Sequence, residues 1–351
     1  MLRDVETVVV GAGQAGLASA YFLRRAGLRP GTGFVVLDHG AGPGGAWRHR
    51  WPSLRLARVN GIHDLPGLSM PSGDAAVRAS VAVPEYFARY EEQFDLRVRR
   101  PVSVRAVRDN GDGRLRVETD HGVWATRTLL NATGTWERPF WPAYPGATSF
   151  RGRQLHAAHY TCAEDFEGQH VVVVGGGITA VQLLDEISQV TSTTWVTRRP
   201  PVFRDTPFDT DAGRAAVAVV DARVRAGRPP GSVVSLTGLP PAPALLAARE
   251  RGALDRRRMF SRLVADGVEW DDGTHLRADV VLWATGFRAA LDHLAPLRLR
   301  EPGGGIRLDG SRVVGDPRVQ LVGYGPSAST IGAGRAARVA VREARQLLQA
   351  A

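Results

Sequence analysis

Phe150-Arg-Gly152-Arg-Gln-Leu-His156-Ala-Ala-His-Tyr160, followed ten residues later by His170-Val-Val-Val-Val-Gly175-Gly-Gly177-Ile-Thr-Ala180, is the stretch around which the chain is organised. Its second half is a continuous β-branched apolar run that breaks into glycines. That is the pattern of a buried parallel strand opening through a tight turn into a helix. The N-terminus carries the same pattern in Val8-Val-Val-Gly11-Ala-Gly13-Gln-Ala-Gly16. In such a unit the first glycine makes the turn and the second lets the backbone approach a pyrophosphate. The third lets helix and strand pack closely. One chain therefore holds two candidate dinucleotide sites, with an unusual connection just ahead of the second.

Working outward, 351 residues suffice for two domains, and a hydrophobic fraction of 44% is ordinary for a globular protein. The formal charge of +10 invites a nucleic-acid reading, but all 45 basic residues are arginine and their runs are short. A solvated arginine-rich surface is expected, with no nucleic-acid partner. The absence of lysine excludes Schiff-base chemistry and a phosphate-binding Walker lysine. Cys162 is the single cysteine, so there is no redox-active pair, no internal disulfide and no multi-thiolate metal site. The chain enters its first strand without room for a signal peptide, and no apolar run approaches a membrane span. A soluble, cytoplasmic protein is expected.

Strand Thr7–Val10, a helix from Gln14 to about Ala26 and strand Phe34–Leu37 make the first unit, closed by Asp38, an acid able to accept from a ribose diol. A short helix over 84–92 follows, then strands over 96–107, 115–119 and 123–130 that lead into Asn131-Ala132-Thr133-Gly134. Pro139, Pro142 and Pro145 mark a linker. The second unit continues through a helix to about Val190 and strand Thr193–Thr197. No acid ends that strand. Arg198 and Arg199 stand there, which predicts NADPH rather than NADH. Residues 200–260 are proline-rich and motif-free; residues 268–274 read as a hairpin turn. Asp279-Val-Val-Leu-Trp-Ala284-Thr285-Gly286-Phe287 repeats the A-T-G ending, 319–324 is a last strand, and a terminal amphipathic helix exposes Arg335, Arg338, Arg342 and Arg345.

Two dinucleotide units joined by F-x-G-x-x-x-H-x-x-x-Y resemble the flavin-containing monooxygenases and their Baeyer–Villiger relatives. Gly44-Gly45-Ala46-Trp47 is similar to that family's G-G-x-W along the flavin, and Trp51-Pro-Ser-Leu54-Arg55-Leu56 to a segment entering the flavin pocket. The short length and the segments Trp195-Val-Thr and His293–Arg300 look like small bacterial flavin monooxygenases associated with arsenic resistance. The resemblance implies an α/β fold of two Rossmann-like (three-layer ββα) domains. The NADPH domain (137–278) is then inserted into an FAD domain (1–136 and 279–351), with chain crossings near 135–145 and 275–280. It implies FAD on Gly11, Gly13, Gln14, Ala15, Gly16, Asp38, Gly45, Ala46, Trp47, Arg55, Val102, Ala132, Thr133, Gly134 and Gly323. NADPH falls on Gly175, Gly177, Ile178, Thr179, Ala180, Arg198 and Arg199, with Ala284, Thr285 and Gly286 at the return crossing. Ile178-Thr179 departs from the Asn-Ser common in relatives. Asn60 is a candidate for holding an oxygenated flavin, and His156 is a linker residue with a lesser claim to proton transfer. The implied reaction is oxygen insertion, through a flavin hydroperoxide, into a small soft nucleophile. Alternatives are Baeyer–Villiger oxygenation, an NADPH oxidase or flavin reductase, and a non-catalytic redox sensor. A small substrate and dioxygen are the expected partners, and a homodimer is left open.

Overall fold

A computed structural model describes residues 2–59, 61–204, 210–231, 238–239 and 241–350. β1 (Leu2–Val10), helix α1 (Gln14–Arg25) and β2 (Phe34–Leu37) form the first crossover, with β1 and β2 parallel from Thr7↔Phe34 to Val10↔Leu37. α2 (Ala79–Gln93) precedes β3 (Val104–Asp109), β4 (Leu115–Thr119) and β5 (Gly122–Asn131). β5 runs parallel to β1 over its whole length, while its N-terminal half also takes β4 antiparallel. The sheet thus grows from a continuous apolar strand flanked by helices, as its valine and leucine content dictates.

β6 (Arg153–His156), β7 (Val171–Val174), α3 (Ile178–Ile187) and β8 (Thr193–Thr197) open the second unit. After α4 (Thr210–Arg225) and α5 (Pro243–Glu250) come β9 (Arg256–Arg258), the meander β10 (Arg262–Val264), β11 (Gly267–Glu269) and β12 (His275–Arg277), then β13 (Val280–Trp283). β6, β13, β7, β8 and β9 lie in that order in one parallel sheet. β14 (Leu308–Asp309), β15 (Arg312–Val313) and β16 (Val319–Leu321) return to the first sheet, where β16 runs parallel to the C-terminal half of β5. The C-terminal α6 (Thr330–Ala350) packs on α1 and exposes Arg335, Arg338, Arg342 and Arg345. No helix among the described residues is long and apolar enough to cross a membrane.

Three expectations shift. β13 is hydrogen-bonded between β6 and β7, so residues 280–283, expected to belong with the first sheet, lie in the second. The strand expected from residue 96 starts at Val104: Arg97 adopts a positive φ of 50° that an extended strand does not allow, and Arg99 and Val102 bond to the end of β2 through Val36 and Asp38 instead. The helix expected over 84–92 begins at Ala79, placing Pro84 inside its second turn, where the ring costs one internal hydrogen bond.

Candidate functional site

The first glycine turn has the geometry its spacing implies. Gly11 has φ of 93°, and a Cβ there would sit 2.6 Å from the Ala132 carbonyl oxygen. A Cβ on Gly16 would overlap the Gly11 carbonyl, so strand and helix close on each other only without side chains. Gly13 is the contrast: a Cβ there meets no protein atom within 4 Å, and it faces open space at the start of α1. Gly45 backs onto Gly13, its own hypothetical Cβ 2.9 Å from the Gly13 Cα. No described side chain caps α1, whose N-cap is Gly13, and a helix start left uncapped in this way suits a phosphate. Gln14 donates to the His63 carbonyl at 3.1 Å, but its buried Oε1 has no partner among the described residues. A ligand donor fits that orphaned oxygen. These residues suit an anionic nucleotide.

The second turn repeats the design. Gly175 has φ of 149°, and a Cβ there would overlap the Ala284 carbonyl; Gly177 opens on free space, and α3 starts without a side-chain cap. Ala180 is fully buried at the place of the third glycine. Ile178 and Thr179 are half-buried in the first turn of α3. Arg198 and Arg199 are exposed just past β8, and neither pairs with a described carboxylate. Arg256 instead holds the strand end, its Nε donating to Thr197 Oγ1 at 2.6 Å.

Other expected positions are more engaged. Asp38 is buried, and its Oδ2 accepts from Arg100 Nε at 2.7 Å, while Arg100 also grips both Glu91 oxygens. One carboxylate oxygen is therefore committed within the protein. Val102 donates its N–H to the Asp38 carbonyl at 2.8 Å and fixes that strand end. Arg55 is exposed at a bridge to Arg78, away from the glycine turn's own contacts. Gly323, with φ of 76°, approaches Ala15 at the base of α1. Ala46 and Trp47 lie half-buried in a short 3₁₀ turn next to Gly45. Asn60 lies outside the described residues.

The two A-T-G endings come together. Phe140 N–H donates to Gly286 O at 2.9 Å, Arg288 N–H to Arg138 O at 2.8 Å and Ala290 N–H to Gly134 O at 3.0 Å. The outgoing and returning crossings are thus paired antiparallel, and the Thr285 hydroxyl adds a bond to Phe140 O. Thr133 Oγ1 donates to Ala290 O at 2.7 Å.

His156, fully buried at the end of β6, binds this pair of strands. Its Nδ1 accepts from the Ala158 N–H at 3.0 Å, so the proton sits on Nε2, which donates to Gly286 O at 3.1 Å. Burial holds its pKa below the ordinary value. A neutral ring with both nitrogens occupied positions the linker; it has no free nitrogen for proton transfer.

Sequence reasoning missed two features. His293 Nε2 meets Asn131 Oδ1 at 2.6 Å, and Asn131 in turn donates to Thr133, so a half-buried imidazole supports the first A-T-G turn. Arg50 lies over the faces of Trp47 and Trp136, 5.5–5.6 Å from their centroids, and Trp136 stacks on Phe287. Asn131 and the half-buried tryptophans were the available signals, each too common a residue to single out.

The family model described as pyridine nucleotide-disulphide oxidoreductase matches residues 8–212. The chain belongs to this family. The solved structure of a flavin-containing monooxygenase from Stenotrophomonas maltophilia superposes with a TM-score of 0.83 at 39% identity, covering 98% of this chain and 99% of that one. Within the family the chain is similar to this flavin-containing monooxygenase over its whole length, and its sequence holds a single cysteine, Cys162. An uncharacterized oxidoreductase, CzcO, of Bacillus velezensis is 26% identical over 198 residues, 56% of each chain. A Baeyer-Villiger monooxygenase of Streptomyces coelicolor is 27% identical over 205 residues, 57% of this chain and 39% of that one. The chain spans about half the length of the curated relatives it matches.

Proposed function

We propose that this monooxygenase binds FAD at the Gly11–Gly16 turn and NADPH at the Gly175–Ala180 turn, and transfers one oxygen atom of dioxygen to a small soft nucleophile. The observation that carries the reading is the pair of glycine turns, each with one glycine open to a ligand, facing paired A-T-G crossings. When bound, FAD supplies hydride acceptance and dioxygen activation. The protein's part is placement and exclusion of water. Gly13 and the uncapped start of α1 would admit the pyrophosphate, and Asp38 Oδ1, which Arg100 leaves to the loosely paired His39 at 4.0 Å, would read the ribose, with Ala132–Gly134 close to the same turn. Gly177 and the start of α3 admit the coenzyme. Arg198 and Arg199 answer the extra phosphate that distinguishes NADPH, each charge-assisted bond contributing about 1.5–3 kcal/mol.

The division into an FAD domain and an inserted NADPH domain follows, with the return after residue 283. The arsenic-associated branch is a narrower proposal; the single cysteine provides no multi-thiolate arsenic site, so arsenic enters only as one soft substrate. Tyr160 at the end of the fingerprint favours soft-atom oxygenation over the Baeyer–Villiger reaction.

The test is a stoichiometry. Purified protein is supplied with NADPH, then NADH, in air with a panel of amines, sulfides and ketones. Substrate oxide formed one-for-one with NADPH consumed, and slower NADH use, supports the reading. A lactone or ester from a ketone selects the Baeyer–Villiger alternative. Hydrogen peroxide equal to all NADPH consumed selects the oxidase, and absence of flavin reduction selects a non-catalytic binder.

A further inference from the structure

Glu186 is a buried carboxylate that the two nucleotide turns do not account for. It lies near the C-terminal end of α3, 9% exposed, next to the fully buried Asp185. A helix C-terminus carries partial negative charge, so two carboxylates buried there are electrostatically misplaced and need strong compensation. The compensation comes largely from the other lobe. Trp51 Nε1 donates to Glu186 Oε1 at 3.1 Å and Ser53 Oγ to Oε2 at 2.6 Å. Arg58 sets its guanidinium 3.1 Å from Asp185 and 4.0 Å from Glu186. Gln182, one turn earlier on α3, donates back to the Arg58 carbonyl at 2.8 Å. Within its own lobe, Asp185 also pairs with Arg251.

Tyr160 completes the arrangement. Its hydroxyl donates to Glu186 Oε2 at 2.9 Å, and its ring meets Trp51 edge-on at 6.2 Å. The terminal hydroxyl of the F-x-G-x-x-x-H-x-x-x-Y run thus has a specific acceptor, which a phenylalanine would leave short of a donor. Trp51, Leu54 and Ala79 are buried in one cluster with Tyr160, Val181 and Leu184. The segment 51–58 belongs by sequence to the first lobe and packs on the second.

The positions of the two ends give this contact a role. Segment 51–58 follows directly on Gly45 and Trp47, and Gly45 abuts Gly13 of the first nucleotide turn. Glu186 is joined to the second nucleotide turn by α3 itself, a rigid rod of about 12 Å from Ile178. The paired crossings at 134–140 and 286–290 join the lobes at the A-T-G turns, and one such tie leaves a swivel. A second tie removes it. We propose that Glu186 is a positioning residue that latches segment Trp51–Arg58 to α3 and so fixes the distance between the two nucleotide turns. The proposal rests on the FAD and NADPH assignment for its catalytic consequence, though not for the latch.

The experiment uses the flavin-loaded protein and two variants. Glu186→Gln presents a donor to at least one of the existing donors, and Tyr160→Phe removes one donor while keeping the ring. Flavin bleaching by saturating NADPH is expected to slow about tenfold or more in Glu186→Gln and less in Tyr160→Phe, because sub-ångström misplacement of reacting partners acts on the rate. Flavin content stays at the wild-type level. Independently of any coenzyme, amide hydrogen exchange over 51–58 should quicken by about tenfold, with β1 and β7 unchanged. Unchanged exchange over 51–58 overturns the latch, and so does exchange rising equally in the sheets, which marks a general structural role. Wild-type protein that NADPH does not reduce counts against the coenzyme assignment alone, and the exchange result then decides the latch. If Glu186→Gln does not fold, Tyr160→Phe combined with Ser53→Ala is read by the same two measurements.

Discussion

Gly13 and Gly16 are three residues apart and fail in different ways when given a side chain. A Cβ on Gly16 overlaps the Gly11 carbonyl, so a substitution there disturbs the packing of α1 on β1. A Cβ on Gly13 meets no protein atom within 4 Å, and its backbone (φ −80°, ψ −167°) is extended and open to any residue. Gly13→Val is therefore expected to leave the melting midpoint of the flavin-free protein unchanged while flavin affinity falls by more than about tenfold, since the isopropyl group occupies the pyrophosphate cradle. Flavin absorbance per protein and thermal unfolding of the flavin-free form check it. Full flavin occupancy would move the site elsewhere. The glycine pattern was legible in the sequence because the constraint is local: strand, turn and helix lie within nine residues. His156 was legible only as a spacing. Its partner, the Gly286 carbonyl, lies 130 residues away, and no sequence pattern announces a backbone acceptor. Glu186 was not legible at all, because a glutamate late in a helix ordinarily faces water.

At the scale of elements, the fingerprint resolves into four separate fastenings. Phe150 is buried under the second sheet, Gly152 allows a close approach, His156 holds the returning crossing and Tyr160 meets Glu186. Gly152 is the least replaceable of these for the fold. A Cβ there would overlap both the Asp279 carbonyl, where β13 begins, and the ring of Phe150. The Arg153 N–H also donates to that carbonyl at 2.9 Å, so β6 cannot step away without losing a ladder bond. Gly152→Ala is expected to cost about 1–3 kcal/mol, the usual range for forcing one carbon into a packed site. Urea unfolding checks it, and a loss within about 0.5 kcal/mol, typical of a surface change, would mean that the strand edge gives way freely. The membership of β13 in the second sheet was hidden for the same reason as these fastenings. β13 reads as any apolar strand before A-T-G, and its choice of sheet is set by parallel register with Val171–Val174, which sequence alone does not express.

On the scale of the whole molecule, histidines held neutral by desolvation set how stability responds to acid. His293 supports the first A-T-G turn through Asn131, and desolvation lowers its pKa to about 4. His156 at the crossing and His170 at the start of β7 are shifted downward for the same leading cause. In the unfolded chain a histidine titrates near 6.5, so between about pH 6.5 and 4 the unfolded state binds the proton that folded His293 refuses. Stability is fully present above about pH 6.5, falls as the pH drops through that window, and levels once the folded ring also protonates near pH 4. The whole shift corresponds to about 3 kcal/mol, of which about 2 kcal/mol is lost by pH 5. Asp120, whose pKa is lowered to about 2 chiefly by its hydrogen bond with His121, gives way only below this window and does not mask it. Urea unfolding of the wild type and of His293→Gln, which keeps a donor for Asn131 but does not titrate, is the measurement. The variant is expected to lose less stability than the wild type between about pH 7 and pH 5, with the residual slope left to His156 and His170. Parallel losses in the two proteins would show that His293 already carries its proton when folded, and that the contact with Asn131 stabilises the charged ring against burial.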